Sequence, residues 1–225
     1  IGELLENIAH HWRQPLSVIT STASAMQVSK EFGTLTDESF NNSCNMINNN
    51  AQNLSKTIDN FKSFFITDTN KEIFNLKDTI DNYIDLVHTS FEDKNIKIIS
   101  NIDNIEIDGI KNDFIQILSI LFNNSKYALE NNEVDNKLII VDLNKVNDHI
   151  VFSVKDNAGG IEEKNINKIF EPYFTTKHAY SGTGLGLYMA HEIVNNSLNG
   201  NISAKNLSFE SNGYKCFGMQ VLIVI

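Results

Sequence analysis

The chain has 225 residues, of which 41% are hydrophobic and 20% charged, and its formal net charge is −10 at pH 7. This length predicts one or two domains, and the hydrophobic fraction is enough for a packed core, which excludes a disordered chain. The acidic balance argues against nucleic acid or an anionic membrane surface as the main partner. Cys44 and Cys216 lie too far apart in sequence for a metal or disulfide spacing, so a reducing cytoplasm is the simplest context.

The first two predicted elements are helices. Over residues 2–30, apolar positions recur three and four apart, and Thr36 is a good N-cap for a second helix. That second helix carries a heptad seam of apolar residues, namely Phe40, Cys44, Ile47, Ala51, Leu54, Ile58, Phe61 and Phe65. Two antiparallel helices cannot cover two such seams, but four can. The sequence therefore predicts a homodimer in which each chain gives one helical hairpin to a four-helix bundle.

After a linker near residues 67–70, the pattern becomes α/β. Strands are predicted at about 72–74, 96–102, 138–143, 150–155, 201–205 and 216–224, and helices at about 76–92, 112–131 and 184–197. An irregular stretch of roughly 20 residues before the last helix is long enough to be functional. The predicted domains are residues 1–68 and 72–225. The sequence lacks a signal peptide and an apolar run long enough to span a bilayer, and it begins with Ile1. We therefore expect a cytoplasmic fragment, with any membrane anchor in a missing upstream segment.

Two glycine motifs predict a nucleotide site. Asp156-Asn-Ala-Gly-Gly-Ile161 follows a β-type run, and Gly182-Thr-Gly-Leu-Gly-Leu187 leads into an apolar helical pattern. Glycine lets the backbone approach a bulky anion, and the start of a helix directs free N–H groups at a phosphate. One motif is suited to bind a base by hydrogen bonding and the other to hold phosphates. A flexible turn is the alternative for either motif alone.

A histidine stands on the polar side of the first helix. At about 100° per residue, His10 falls nearly opposite the apolar stripe, with Arg13 and Gln14 close by and Pro15 expected to kink the helix. An exposed neutral imidazole is a competent nucleophile for a γ-phosphoryl group. An ordinary surface histidine is the alternative.

Five motifs together resemble those of sensor histidine kinases, in the order of that family and over almost the whole chain. His10-His-Trp-Arg-Gln-Pro-Leu16 resembles the phosphoacceptor box, and the segment 116–129, with Asn123-Asn-Ser-Lys126, is similar to the Asn-containing box. Asp156-Asn-Ala-Gly-Gly-Ile161 resembles the adenine-binding box. Ile169-Phe-Glu-Pro-Tyr-Phe-Thr-Thr-Lys177 resembles the ATP-lid segment, and Gly182-Thr-Gly-Leu-Gly-Leu187 the last glycine box.

The resemblance implies a dimerisation hairpin followed by an α/β-sandwich ATP-binding domain of the gyrase, Hsp90 and histidine kinase (GHKL) type. It implies that ATP phosphorylates His10 and that an aspartate of a response regulator then receives the phosphate. Asp156 would accept a hydrogen bond from the adenine amino group, and Asn124 would coordinate Mg²⁺. The catalytic residues implied are His10, His11, Arg13 and Gln14. The remaining nucleotide-binding residues implied are Tyr127, Gly160, Ile161, Lys177, Gly182, Thr183, Gly184, Leu185, Gly186 and Leu187, and Lys126 is a further phosphate candidate.

Departures from the family pattern keep alternatives open. His11 replaces the usual carboxylate beside the phosphoacceptor, so we expect slow autophosphorylation. Ile120 replaces the first Asn of its box and has no group to bind a metal, which leaves Asn123 as an alternative ligand to Asn124. A pseudokinase that signals by conformation is one rival function. A response-regulator phosphatase using the Gln14 amide is another.

Overall fold

The computed structural model describes residues 2–65, 70–177, 183–211 and 213–225, with backbone alone for residues 2–12, 14, 53 and 56–65. The chain divides into a unit of Ile1–Ile66 with Thr176–Thr183 and a unit of Thr67–Thr175 with Gly184–Ile225. Within the described ranges, none of the helices combines the length and the hydropathy needed to cross a membrane. Cys44 and Cys216 are both free thiols.

The first unit contains two long helices, α1 (Gly2–Glu31) and α2 (Asp37–Phe65), joined by a short turn. Thr36 caps α2 as predicted, because its hydroxyl accepts a hydrogen bond from the Ser39 N–H at 3.1 Å. Ser39 Oγ in turn accepts from the Thr36 N–H at 3.0 Å, which completes a reciprocal cap. Thr22 Oγ lies 3.4 Å from Met46 Sδ, so the two helices run antiparallel.

The apolar seam of this hairpin is only partly covered within one chain. Phe40 of the predicted seam is 45% exposed, and Leu16 and Val28 of α1 are 49% and 50% exposed. Among the side chains described in α2, the buried one is Asn50, whose Nδ2 donates to the Met46 carbonyl at 2.8 Å. A single hairpin therefore leaves apolar surface on both helices that its own packing does not bury.

The second unit is an α/β sandwich built on a five-stranded sheet. Its elements in chain order are β1 (Glu72–Asn75), α3 (Leu76–Glu92), β2 (Lys97–Ile102), β3 (Glu106–Gly109), α4 (Lys111–Asn131), β4 (Leu138–Val146), β5 (His149–Asp156), α5 (Glu163–Ile166), α6 (Gly186–Asn196), β6 (Asn201–Ser211) and β7 (Tyr214–Val224). The sheet order is β2-β4-β5-β7-β6, with β2 and β4 parallel and the other neighbours antiparallel. β1 and β3 form a separate antiparallel pair.

One core fills the space between the helices and the inner face of the sheet. Its largest fully buried side chains are Phe114 and Phe122 of α4 and Phe152 of β5. Phe114 packs edge-on to Phe152 with ring centroids 5.4 Å apart. Inward positions alternate along the strands, so the register that places Phe152 inside also places Asp156, four residues later, on the inner face. The fold thus carries a carboxylate to the buried end of a central strand.

The structure differs from the sequence prediction at β3, β6 and β7, and at α5, a four-residue helix within the stretch predicted to be irregular. β3 was not predicted, because its four residues, Glu-Ile-Asp-Gly, carry a single apolar side chain and no alternation. β6 and β7 are longer than predicted and pair through Ser211 and Tyr214, so they form a hairpin whose outer half has no third strand beside it. That outer half carries residues that contact the loop after β5.

Turns before the strands use asparagine in the left-handed conformation. The described non-glycine residues with positive φ are Asn95, Asn136, Asn147, Asn199 and Tyr173. Asparagine tolerates this region because its short side chain bonds locally, whereas a bulky residue there is an outlier. Tyr173, with φ of 66°, is therefore the exception, and it lies in the irregular stretch before α6.

Candidate functional site

The site is built around Asp156, the last residue of β5. The side chain is only 2% exposed. Its Oδ1 accepts hydrogen bonds from the Ala158 N–H at 3.1 Å and the Met219 N–H at 3.4 Å. Its Oδ2 accepts one from the Ser125 hydroxyl at 3.1 Å. Donors from a loop, a strand and a helix therefore fix the orientation of one buried carboxylate.

Burial raises the pKa of Asp156 above the ordinary aspartate value, while the three hydrogen bonds act in the opposite direction. The raised pKa shows that desolvation is the larger effect, because burial disfavours the charged form. When ionised, the group is purely an acceptor. It is therefore suited to bind a ligand group that donates a hydrogen bond, such as an amino group on a base.

The loop after Asp156 turns sharply through two glycines. Gly159 and Gly160 have φ of 87° and 72°, a region that glycine enters without strain. A Cβ at Gly160 would also lie 2.5 Å from Oδ1 of Asn206, so a side chain is excluded there twice over. The Gly159 N–H donates to the Phe217 carbonyl at 3.0 Å. These contacts attach the loop to the β6–β7 hairpin.

Asn206 pairs with the far end of that loop. Its Oδ1 accepts from the Ile161 N–H at 2.9 Å, and its Nδ2 donates to the Ile161 carbonyl at 2.6 Å. The same Nδ2 lies 3.1 Å from Oε1 of Glu163 at the start of α5. The Asn206 amide thus makes with the Ile161 backbone the two hydrogen bonds that a residue of a neighbouring strand would otherwise make. It fixes Ile161, which the resemblance places in the nucleotide site.

Gly218 brings β7 against the backbone of Asp156. A Cβ at this position would lie 1.9 Å from the Asp156 carbonyl oxygen and 2.8 Å from Cα of Asn157. Neither atom belongs to a flexible side chain, so the close approach requires glycine. Because Met219 follows Gly218, this approach also delivers the Met219 N–H to the carboxylate.

Asn124 of α4 lies beside the start of α6. Its Nδ2 would be 3.9 Å from a Cβ at Gly186, and Cγ2 of Ile120, one helical turn earlier, would be 3.5 Å from the same point. Asn124 is half-buried, whereas Asn123 is exposed and its Nδ2 donates to Ser119 Oγ at 3.3 Å. This placement supports Asn124 as the candidate ligand. Ile120 contributes an apolar contact where the family commonly has a polar residue.

Two other residues of α4, Lys126 and Tyr127, were also predicted to bind the nucleotide. Lys126 Nζ donates to the Ser90 carbonyl at 2.9 Å and lies 4.9 Å from the centroid of the Phe91 ring. It is thus engaged at the end of α3, which does not support it as a phosphate ligand. Tyr127 is half-buried, and its role at the nucleotide stays a prediction.

The start of α6 presents backbone donors. Leu185 is its N-cap, and in the part of the chain that is described no side-chain hydrogen bond caps this helix. The first N–H groups of a helix have no partner within the helix, and its dipole favours an anion there. Gly186 and Leu187 are the first residues of α6 and carry these donors. The chemistry fits a phosphate.

Gly184, the residue before the N-cap of α6, is held by Tyr173 of the irregular stretch. Gly184 has φ of 66°, and a Cβ there would lie 2.3 Å from the carbonyl carbon of Tyr173. The Tyr173 N–H donates to the Gly184 carbonyl at 2.9 Å. Nearby, Phe170 packs against the core, with its ring centroid 5.9 Å from that of His191 on α6. Packing against the core therefore accounts for the position of Phe170.

Several predicted site residues belong to other parts of the chain. His10, His11 and Gln14 lie in α1, where their side chains are outside the described residues, and Arg13 is exposed. Gly182 is not described. Lys177 and Thr183 belong to Thr176–Thr183, the segment grouped with the helical unit, and their roles at phosphate stay predictions. Burial lowers the pKa of the Lys177 ammonium.

Sequence reasoning missed four contributors: Ser125, Asn206, Gly218 and Met219. Ser125 directly follows Asn124, so a hydroxyl in the Asn-containing box was the available signal. Gly218 lies inside an apolar strand pattern, where an isolated glycine indicates close backbone approach. Asn206 and the Met219 N–H had no such signal, since their roles depend on pairing across the sheet.

The fold and the site define a class of ATPases. Residues 109–221 match the family described as histidine kinase-, DNA gyrase B-, and HSP90-like ATPase. The chain belongs to this family. The predicted resemblance to the catalytic core of sensor histidine kinases and the predicted GHKL-type sandwich are thereby confirmed.

Individual relatives point within that class to histidine kinases. The chain is 26% identical over 196 residues to the signal transduction histidine-protein kinase AtoS of Escherichia coli strain K12, covering 87% of this chain and 31% of that protein. The two-component sensor PprA of Pseudomonas aeruginosa is 51% identical over 53 residues, which are 24% of this chain and 6% of that protein. The chain thus spans less than a third of the length of either relative.

A solved structure has a similar fold over the full length of this chain. The histidine kinase ThkA, in complex with the response regulator protein TrrA, matches with a TM-score of 0.70 at 22% identity. The match covers 100% of this chain and 61% of that chain. At this level of identity the likeness establishes the fold.

Proposed function

We propose that this chain is the core of a protein-histidine kinase that uses ATP to phosphorylate His10 and passes the phosphate to an aspartate of a response-regulator receiver domain. The observation that carries the proposal is the buried Asp156 carboxylate at one end of the site. At the other end, α6 starts without a side-chain cap beside Asn124. One end suits an adenine amino group, and the other suits a triphosphate.

The proposed transfer needs positioning more than covalent assistance. An imidazole nitrogen of His10 attacks the γ-phosphorus, the bond from that phosphorus to the β,γ-bridging oxygen breaks, and ADP departs with the electron pair. Donors at the start of α6 neutralise charge that accumulates on the phosphates. The phosphorylated imidazole then serves as donor to a receiver aspartate by the same type of displacement.

Mg²⁺ is the metal that we propose for this site. Its preferred ligands are oxygens, and because it usually keeps several waters it would need few oxygens from the protein. We propose the side-chain amide of the half-buried Asn124, whose Nδ2 lies near Gly186 at the start of α6, as the group whose oxygen would bind the ion. When bound, the ion neutralises phosphate charge.

We further propose that two hairpins form a four-helix bundle and make the protein a homodimer. The exposed apolar side chains on the described parts of α1 and α2 support this proposal, because a second copy would bury them. The domain division at residues 1–68 and 72–225 remains part of the proposal. Because the proposed reaction consumes ATP, a cytoplasmic location of this part of the protein is also part of the proposal.

Labelling with γ-³²P-ATP tests the proposed function. Wild-type protein is expected to gain acid-labile, base-stable label, because phosphohistidine hydrolyses in acid, and His10→Gln is expected to gain none. Asn124→Ala is expected to lose both labelling and Mg-ATP binding, with Asn123→Ala as the matched control on the adjacent position. Unlabelled wild type that still binds ATP would support the pseudokinase instead. Loss of ATP binding in Asn123→Ala alone would move the metal ligand by one residue.

A further inference from the structure

We propose that Ser125 sets the base specificity of the nucleotide site by holding Asp156 so that a single acceptor position remains for a purine 6-amino group. Ser125 is a positioning residue in this proposal, since it acts through the carboxylate. The inference rests on the proposed nucleotide site and deepens it.

Ser125 contacts the Asp156 carboxylate directly. Ser125 lies on α4 directly after Asn124 and is only 5% exposed. Its hydroxyl has one hydrogen to donate, and Oγ lies 3.1 Å from Oδ2 of Asp156. α4 packs in the core through Leu121 and Phe122, so the Ser125 hydroxyl stands on a rigid element.

Most of the acceptor positions of the Asp156 carboxylate are already occupied by protein donors. A carboxylate has about four lone-pair positions, two on each oxygen. The backbone N–H groups of Ala158 and Met219 occupy both positions of Oδ1. Ser125 occupies one position of Oδ2. Within the described part of the chain, one position on Oδ2 therefore remains for a ligand.

The remaining acceptor position on Oδ2 discriminates between bases. Oδ2 of the ionised group accepts a hydrogen bond, so a 6-amino group is favoured and a 6-oxo group, which is itself an acceptor, is disfavoured. A buried polar atom left without its partner is costly, which makes the discrimination strong. Without the Ser125 hydroxyl, Oδ2 loses its only protein donor among the described contacts, and the two bonds to Oδ1 alone orient the carboxylate. The specific contact to the amino group then weakens, while the phosphate contacts at α6 are unaffected.

The test compares two nucleotides that differ only at the base. Isothermal titration calorimetry measures dissociation constants for Mg-ATP and for the Mg complex of purine riboside 5′-triphosphate, which lacks the 6-amino group. Ser125→Ala is expected to weaken ATP binding about tenfold, the scale of one hydrogen bond to a charged group. Binding of the purine analogue is expected to change less than about twofold, since the analogue never makes the affected contact.

Two variants control for structural effects. Ser119→Ala removes a hydroxyl from the same helix, one that contacts Asn123 rather than Asp156, and is expected to leave both affinities unchanged. Ser125→Cys keeps nearly the same volume with a weaker donor, so its ATP affinity is expected to fall between wild type and Ser125→Ala. Should Ser125→Ala fail to fold, Ser125→Cys carries the same comparison.

The outcomes separate the two proposals. Equal weakening of both nucleotides by Ser125→Ala would assign the hydroxyl a structural role and overturn the inference. Unchanged ATP affinity would also overturn it, with the nucleotide site intact. Wild-type protein that binds neither nucleotide would overturn the proposed function and this inference together.

Discussion

Replacing Gly218 with alanine tests how closely β7 must approach the nucleotide loop. A Cβ at this position would lie 1.9 Å from the Asp156 carbonyl oxygen, whereas real Cβ contacts keep at least 3.0 Å. The strand must therefore move by about 1 Å, and the neighbours it meets are backbone atoms that cannot rotate away. The Met219 N–H bond to Asp156, already 3.4 Å long, would not survive that movement.

The size of the effect follows from two contributions. Overpacking a well-packed interior costs about 1–3 kcal/mol, and removing a donor from a buried charged group costs about 1.5–3 kcal/mol. We expect Gly218→Ala to lower the free energy of unfolding by about 3 kcal/mol, which corresponds to roughly 10 °C in Tm for a chain of this size. ATP affinity is expected to fall by about tenfold or more, because the carboxylate loses a fixed donor.

Differential scanning calorimetry, with and without Mg-ATP, measures both quantities. Gly213→Ala is the matched control, since Gly213 has φ of 79° but nothing lies within 4 Å of the point that a Cβ would occupy there. It is expected to cost about 1–2 kcal/mol from backbone strain alone and to leave the ATP-induced rise in Tm unchanged. The reasoning is refuted if Gly218→Ala retains the same ATP-induced rise as Gly213→Ala.

Two further predictions concern the same loop. Because burial raises the pKa of Asp156, its contribution to stability is largest below the ordinary aspartate value and is lost as pH rises through the raised pKa. The free energy of unfolding of the wild type, measured with urea, should therefore decline from pH 4 to 8, and this decline should be absent in Asp156→Asn. The same pH dependence in the wild type and in Asp156→Asn would contradict this prediction. Asn206→Asp keeps the acceptor for the Ile161 N–H but sets a negative charge against the Ile161 carbonyl and Glu163. We expect Asn206→Asp to bind ATP about tenfold more weakly than wild type, as measured by calorimetry. Ser208→Ala, at an exposed position on the same strand, is the control. Equal ATP affinities of Asn206→Asp and wild type would count against the role of Asn206.

Long periodic elements were predictable because each one carries its own signal. The helix predicted at about 76–92 matches α3, and Asn75, the residue before it, accepts from the Asp78 N–H as its N-cap. Asp156 and the adjacent glycines were also found, since an acid followed by glycines after a strand is a local pattern. β3 and the outer half of the β6–β7 hairpin were missed, because short or polar strands are specified by their partners rather than by alternation.

The rest of the site depends on contacts between residues distant in sequence. Ser125 and Asp156 are 31 residues apart, Ile161 and Asn206 are 45 apart, and Asp156 and Met219 are 63 apart. Nothing in the sequence near Asn206 indicates that its side-chain amide will bond both the N–H and the carbonyl of Ile161. The burial of Asn50 in α2, next to the predicted heptad seam, likewise reflects its bond to the Met46 carbonyl.

The hydrogen bond from Tyr173 to Gly184 has a consequence for how this chain tolerates change. It joins the two ends of the ten-residue stretch between them at a 2.9 Å contact, within the α/β unit. Loop-closure entropy rises only slowly with length, so lengthening or shortening a stretch pinned in this way adds little free energy. Insertions and deletions in this stretch are therefore expected to leave Asp156 and its hydrogen-bond donors in place when Tyr173 and Gly184 are kept, and to affect the nucleotide only through Lys177, Gly182 and Thr183, which are predicted to bind it.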